Sequence, residues 1–342
     1  MDKSLKFIYL QQEDVIACGG LEMKETIEAV EKVYSLRDSG ECIEPGTLMI
    51  AYNGSQSRRI MTHEAFVGGD VNVAGIKWIP SSPENPFKRG LPRASAIIIL
   101  NDPETGFPLA VMDGTVVSAM RTAAATGVGT KYLARKDSKV VGLVGAGPIN
   151  RCQIRAVHAV LPELQEVKIF DLRSDRAQEF AQDMEKELGA RFRVAQSAEE
   201  AVTGSDVVVA ATVGVTPETS YIEKGWLKEG SFLSSVSGSD AQVELVLRAD
   251  KRVVTDRSVP ENPGWVLGLI FAQGLLSGED FVEMGEIVNG KRPGRENDWE
   301  KICYYPRGLG VEDVIAAYRV YQQAVAKGIG QELELWHEPI WI

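Results

Sequence analysis

The sequence predicts an α/β fold: a Rossmann-type domain of parallel strands and helices, joined to a discontinuous α+β domain. Three observations predict it. The apolar run Val140-Val141-Gly142-Leu143-Val144 enters a glycine turn, Gly145-Ala146-Gly147, which opens onto Pro148-Ile149-Asn150 as a helix start. Short apolar runs after it alternate with helical stretches, the pattern of a parallel sheet covered on both faces. The residues before it instead give several strands divided by turn-rich segments, the mark of a separate sheet-rich unit.

Taken in order, residues 21–38 have helical spacing, with Ile27, Val30 and Tyr34 on one face after the breaker Gly19-Gly20. Residues 47–51, 75–79, 94–100 and 109–112 read as strands, punctuated by Asn53-Gly54 and by Asp102-Pro103-Glu104-Thr105-Gly106. A long helix is expected around residues 118–133. Five buried strands of a parallel sheet follow at residues 140–144, 167–170, 206–212, 232–236 and 252–255. By then the Rossmann unit is complete, so the helix predicted at residues 311–327, closed by Gly328, is expected to return to the first domain. The expected division is residues 1–115 as the first part of a substrate and dimerisation domain, 116–310 as the nucleotide domain and 311–342 as the returning helix. The active site is expected in the cleft between domains.

A chain of 342 residues with 44% hydrophobic and 25% charged content is a globular protein long enough for two cores. It has no apolar run near the roughly 18–20 residues that span a bilayer, and Met1-Asp2-Lys3-Ser4 does not lead into a signal-peptide core. A cytoplasmic location is expected. Cys18, Cys42, Cys152 and Cys303 are scattered without metal-ligand or disulfide spacing, so each is expected as a small buried hydrophobe. The net charge of −11 disfavours nucleic acid and anionic membranes, and an anionic substrate would need a local basic pocket.

The glycine turn carries the first chemical expectation. Gly145 supplies the backbone angles of a tight strand-to-helix turn, and Gly147 leaves a pyrophosphate free to approach the helix start beyond it, Pro148 and Ile149, with its amides and positive dipole, Pro148 itself having no N–H to give. Asp171 ends the next apolar run, where a ribose-binding acid belongs. A carboxylate there accepts the ribose hydroxyls and repels a 2′-phosphate, which favours NAD, while Arg173 and Arg176 leave NADP as the alternative. Asn150 occupies the third glycine position, a departure expected to loosen the packing of helix on strand.

Hydride transfer also needs groups that hold the substrate and move a proton. Asp240, in Ser237-Gly238-Ser239-Asp240, follows the strand at residues 232–236 at the rim where such a group projects, although a turn-forming Asp reads the same way. Lys77 sits in an apolar strand, where a charge must face a cleft or a partner unless it snorkels from a sheet edge. Arg121, early in a helix beside Thr122, is placed to grip a carboxylate with both nitrogens. Arg59, Lys88, Arg89 and Arg93 add cations to the same half of the chain. His63 lies among them as a candidate for proton transfer, without metal-ligand spacing around it.

Several blocks together resemble the ornithine cyclodeaminase and mu-crystallin family: Gly68-Gly69-Asp70-Val71-Asn72-Val73-Ala74-Gly75-Ile76-Lys77-Trp78, Ile99-Leu100-Asn101-Asp102-Pro103-Glu104-Thr105-Gly106, Arg121-Thr122-Ala123-Ala124 and Gly238-Ser239-Asp240. Pro83-Glu84-Asn85-Pro86-Phe87-Lys88-Arg89, Arg93-Ala94-Ser95 and Pro293-Gly294-Arg295-Glu296 resemble more closely its branch of siderophore-pathway dehydrogenases. That resemblance implies NAD-dependent oxidation of N-(2-amino-2-carboxyethyl)-L-glutamate to an imine, hydrolysed to 2-oxoglutarate and L-2,3-diaminopropionate. It also implies a homodimer formed through the N-terminal domain. By the resemblance Lys77, Arg121 and Arg59 become substrate contacts, Asp240 the polar group beside the reacting centre, and Thr122, Thr212, Val213 and Ser237 part of the nucleotide site. The match of a cationic set to three carboxylates adds Arg93 to the substrate contacts. Lys77 joins Asp240 as a catalytic candidate, and Arg173 joins the nucleotide site. Glu44-Pro45-Gly46-Thr47-Leu48 departs from the cyclodeaminase pattern, with Thr47 where an arginine would fall, so ornithine cyclodeamination is disfavoured. A ketimine reductase, an amino-acid dehydrogenase and a noncatalytic nucleotide-binding protein remain the alternatives.

Overall fold

The computed structural model describes residues 4–52, 55–258 and 264–341; the turn expected at Asn53-Gly54 lies outside the described residues. The strands, in chain order, begin with β1 (Leu5–Leu10), β2 (Cys42–Ile43), β3 (Thr47–Tyr52), β4 (Ser55–Val67), β5 (Val73–Ser81), β6 (Ile97–Asn101) and β7 (Pro108–Asp113). They continue with β8 (Val140–Val144), β9 (Glu166–Phe170), β10 (Arg191–Val194), β11 (Val207–Ala210), β12 (Phe232–Ser235), β13 (Lys251–Val254), β14 (Val282–Glu283) and β15 (Ile302–Tyr305). The last is β16 (Gln331–Trp336). The chain forms two compact units, residues 1–121 with 309–342 and residues 122–308, so the first boundary falls inside the helix Thr115–Leu133 rather than ahead of it.

In the first unit the strands lie in the order β16-β1-β7-β6-β5-β4-β2, with β3 also paired to β4. Among the described residues of this unit only the β1–β7 pair is parallel. Residues two apart on a strand share a face, so Ile98 and Leu100 of β6 and Ala110 and Met112 of β7 point the same way, and all four are buried. The helix Gly310–Lys327 packs against β4 and β5, with Val314 and Ala317 fully buried, and the helix Met23–Asp38 adds Ile27, Val30 and Val33. Each such valine, leucine, isoleucine or methionine side chain removed from water contributes about 1.5–3 kcal/mol. The opposite face of the sheet is apolar and uncovered: Leu48 is 67% exposed, Ile50 54%, Ile97 51% and Trp78 39%.

In the second unit eight strands run in the order β10-β9-β8-β11-β12-β15-β13-β14, every pair parallel. Helices such as Pro148–Val160 and Ser174–Leu188 connect them. The strands are apolar without alternation because both faces are covered, and Val207 to Ala210 are fully buried. Chain order turns back at β8, with β9 on one side and β11 on the other. That reversal leaves a crevice beyond the carboxyl ends of β8 and β11, where such sheets bind ligands.

Among the described residues seven strands escape the periodicity, namely β1, β2, β4, β10, β14, β15 and β16. Cys18, Cys152 and Cys303 are buried as expected, whereas Cys42 is only partly covered. Among the described residues no helix is long and apolar enough to cross a membrane.

Candidate active site

In the second unit β8 ends at Gly145, whose φ of +98° belongs to the region that glycine tolerates. A Cβ there would stand 2.8 Å from the Ala211 carbonyl oxygen, while one at Gly147 would meet nothing within 4 Å. The first glycine therefore makes the turn and the second keeps the space above the helix start open. Asn150 corrects the expectation drawn from its sequence position. It is fully buried, and its amide donates to the carbonyls of Val144 (2.8 Å) and Gly145 (2.6 Å), so it ties the turn to the helix rather than loosening it. Asp171, at the end of β9, accepts from the Ala146 amide at 2.7 Å and the Arg173 amide at 2.9 Å. The Arg173 guanidinium itself turns to Asp175, at 2.6 Å. A helix start behind an unobstructed Gly147 and a carboxylate at the end of β9 fit a dinucleotide that carries a free ribose 2′-hydroxyl.

Asp240 is fully buried beside the same sheet. Its Oδ1 accepts from Thr212 Oγ1 at 2.6 Å and from the Tyr221 hydroxyl at 3.0 Å, and its Oδ2 accepts from Ser235 Oγ at 3.2 Å and closely from Ser237 Oγ. Four hydroxyls thus serve one carboxylate, which removes the reading of Asp240 as a plain turn residue. The backbone is shaped for this: Gly238 has φ +81°, and a Cβ on it would strike the Trp265 ring at 2.4 Å. Burial and the neighbouring Asp240 charge push the Tyr221 hydroxyl far up, so it stays a donor. Thr212 and Ser237 are joined to each other through the Thr212 amide, at 3.2 Å. Val213 is 72% exposed, and the Thr122 carbonyl accepts from Gln153.

In the first unit Lys77 is 1% exposed on β5, between β4 and β6, so it is no edge lysine. Its ammonium stands 2.6 Å from Asp313 Oδ2 and donates to Ser118 Oγ at 3.2 Å. Arg121 donates through Nε to Asp313 Oδ1 at 2.7 Å and through Nη1 to Glu312 Oε2 at 2.8 Å. Its fork is therefore engaged by two acids of its own chain. The Tyr34 hydroxyl donates to Glu312 Oε1 at 2.6 Å. His63 lies directly across from Lys77 in the β4–β5 register, with Nδ1 3.4 Å from Thr47 Oγ1.

These charges bias one another. Burial, reinforced by Arg121, brings Lys77 down to about 8 against the pull of Asp313. Burial likewise raises Glu312 to about 7 despite Arg121 and Tyr34. Burial acts to raise Asp313 as well, but Arg121 and Lys77 overcome it and hold Asp313 below the ordinary carboxylate range. The cluster thus keeps one lysine and one glutamate close to exchanging protons near neutral pH.

The four cations expected to act together fall into two pairs, Lys77 with Arg121 and Arg59 with Arg93. Lys77 and Arg121 share Asp313, but Arg93 lines a separate cavity with Arg58 and Arg89. Arg59 pairs in register with Ser81, four residues along β5 from Lys77, which is about 13 Å at strand spacing. Glu312, Asp313, Tyr34, Ser118 and Tyr221 are the members that the sequence reading missed.

A model of the ornithine cyclodeaminase/mu-crystallin family matches residues 8–328. The chain belongs to that family. It is 34% identical to N-((2S)-2-amino-2-carboxyethyl)-L-glutamate dehydrogenase of Staphylococcus aureus across 97% of this chain and 99% of that protein. Among solved structures it is similar to Δ1-pyrroline-2-carboxylate reductase of Thermococcus litoralis in complex with NADH and L-proline. The TM-score there is 0.88 and the identity 35%, over 95% of this chain and 99% of that one. An archaeal alanine dehydrogenase dimer with bound NAD gives 0.87 and 33%, over 97% and 100%.

Proposed function

We propose that this protein is an NAD-dependent oxidoreductase acting on a C–N bond, and that its substrate is N-(2-amino-2-carboxyethyl)-L-glutamate. The imine formed would hydrolyse to 2-oxoglutarate and L-2,3-diaminopropionate. The observation that carries the substrate is the end-to-end similarity to the S. aureus dehydrogenase. Gly145, Gly147, Pro148, Ile149 and Asp171 would hold NAD, which would supply the hydride acceptor for oxidation at the glutamyl Cα. Lys77, brought to about 8, takes or returns a proton at its Nζ near neutral pH. Asp240, fixed by four hydroxyls, presents a stationary negative charge that favours positive charge developing on the substrate nitrogen. Arg121 and Asp313 keep Lys77 in place.

We further read the protein as a homodimer joined through the uncovered sheet face, since an apolar patch of Leu48, Ile50, Trp78 and Ile97 is costly to leave in water. Incubation of the purified protein with NAD and the synthetic conjugate tests the activity, with NADH followed by absorbance and the products by mass spectrometry. The expected result is NADH together with both products. Turnover of L-alanine or L-proline with none of the conjugate would assign the chain to the chemistry of its other relatives.

A further inference from the structure

Three side chains stand in one row across the first sheet. Thr47 of β3 pairs in register with His63 of β4, and His63 pairs in turn with Lys77 of β5. Register partners share a face, so all three point away from the uncovered side that carries Leu48 and Trp78 and lie on the side of the helix Gly310–Lys327, where Asp313 meets Lys77. His63 and Lys77 are buried there, whereas Thr47, on the outlying strand, is partly exposed. The row therefore runs from the cluster outward.

His63 Nδ1 stands 3.4 Å from Thr47 Oγ1. On its other side the ring lies within electrostatic reach of the cluster: burial acts to raise Asp313, and Arg121, Lys77 and then His63 draw it down. Oxidation of a protonated secondary amine, the reaction proposed above and the one on which this inference rests, passes a hydride to NAD, leaves a protonated imine and sets one proton free. Neutral Lys77 takes that proton at Nζ and becomes an ammonium, which must lose it before the next turnover. Its immediate neighbours do not relieve it. Arg121 is already charged, Ser118 offers a neutral hydroxyl, and Asp313 is held low. Glu312 is enclosed by the Tyr34 hydroxyl, Arg121 and the Leu309 amide, so a proton placed there goes no further.

We propose that His63 is a positioning residue that carries the proton of Lys77 outward, through Thr47 to solvent. The Lys77 Nζ–H bond breaks and the imidazole becomes imidazolium. Its Nδ1–H bond then breaks towards Thr47 Oγ1, as the hydroxyl's own proton passes to water. His63 acts on Lys77 and not on the substrate, setting how soon the lysine is again a neutral base.

The chain has three histidines, so nitrogen NMR of the histidine-labelled full chain reads His63 against two internal controls, His158 and His337. His63→Gln identifies its signal by loss. Lys77→Met removes a positive charge beside the ring, and the His63 titration is expected to rise by at least about half a pH unit while the other two stay in place. A His63 titration indifferent to Lys77→Met overturns the proposal, whether or not the conjugate is turned over. In the activity assay His63→Gln, which keeps bulk and hydrogen bonding but moves no proton, is expected to lower kcat about tenfold or more near neutral pH with KM almost unchanged. Added imidazole is expected to restore most of that loss and to leave the wild type as it is. Thr47→Val, which keeps the shape at the exposed end, is expected to lower kcat in the same way to a smaller degree. Unchanged kcat in His63→Gln, or a loss that imidazole does not restore, makes His63 a packing residue and overturns the relay. If L-alanine or L-proline is turned over instead of the conjugate, the same variants are read on that amine, so a wrong substrate and a wrong relay give different results.

Discussion

Asp240 is an acid that neutral hydroxyls alone surround. A carboxylate has about four lone-pair directions, and Thr212, Tyr221, Ser235 and Ser237 occupy them. Asp240→Asn keeps the shape but turns one oxygen into a donor facing hydroxyls, and it removes the charge. Its kcat is expected to fall by about 10²–10⁴. NADH affinity, measured by fluorescence titration, is expected to stay near wild type. Lys77 and Glu312, both in the first unit, give opposite pH signatures. Lys77 titrates at about 8 when folded against 10.5 when free, so its contribution is complete above 10.5 and is lost as pH falls through 8. Glu312 titrates at about 7 against 4.5, so its contribution is complete below 4.5 and is lost as pH rises through 7. Urea unfolding across pH 5–7.5 is expected to show Glu312→Gln gaining on wild type as pH rises. Lys77→Met is expected to gain on wild type as pH falls from about 10 to 8.

At the scale of elements, the helix Gly310–Lys327 and the turn after β8 each depend on one glycine. A Cβ on Gly310 would stand 2.7 Å from the Glu64 carbonyl oxygen and push the helix start, with Glu312 and Asp313, away from Arg121. Gly310→Ala is expected to cost about 1–3 kcal/mol of stability and most of the turnover while NADH still binds. Gly145→Ala is expected to do the reverse, weakening NADH about tenfold or more through the turn. The turn, its flanking strands and Asp171 were legible in the sequence because local residues specify them. β4 was not, because Arg58, Arg59, His63 and Glu64 interrupt the alternation that marks a strand. Glu312 and Asp313 were hidden for a different reason: acids in the first turn of a helix are commonplace, and Arg121 lies 192 positions from Asp313. Likewise Arg59 reads as one basic set with Lys77, and register does place it in phase with Lys77 but four residues further along β5.

At the scale of the whole molecule, the proposed homodimer rests on the uncovered sheet face. Ile50→Asp combined with Trp78→Asp places charge where Leu48 and Ile97 are already exposed. Light scattering is expected to show a monomer in place of a dimer, and an unchanged mass would remove the face from the interface. The pairing of Asp313 with Lys77 and Arg121, and of β16 with β1, also has a temporal side. During synthesis, residues 122–308 leave the ribosome as a unit with its own core, while the earlier unit still waits for its closing helix and strand. Until residue 313 emerges, two cations meant for burial have no counter-ion, so the first part of the chain to be made is the last to mature. A nascent chain stalled before the closing helix should therefore acquire protease resistance in its later half first, and depend on chaperone shelter for its earlier one.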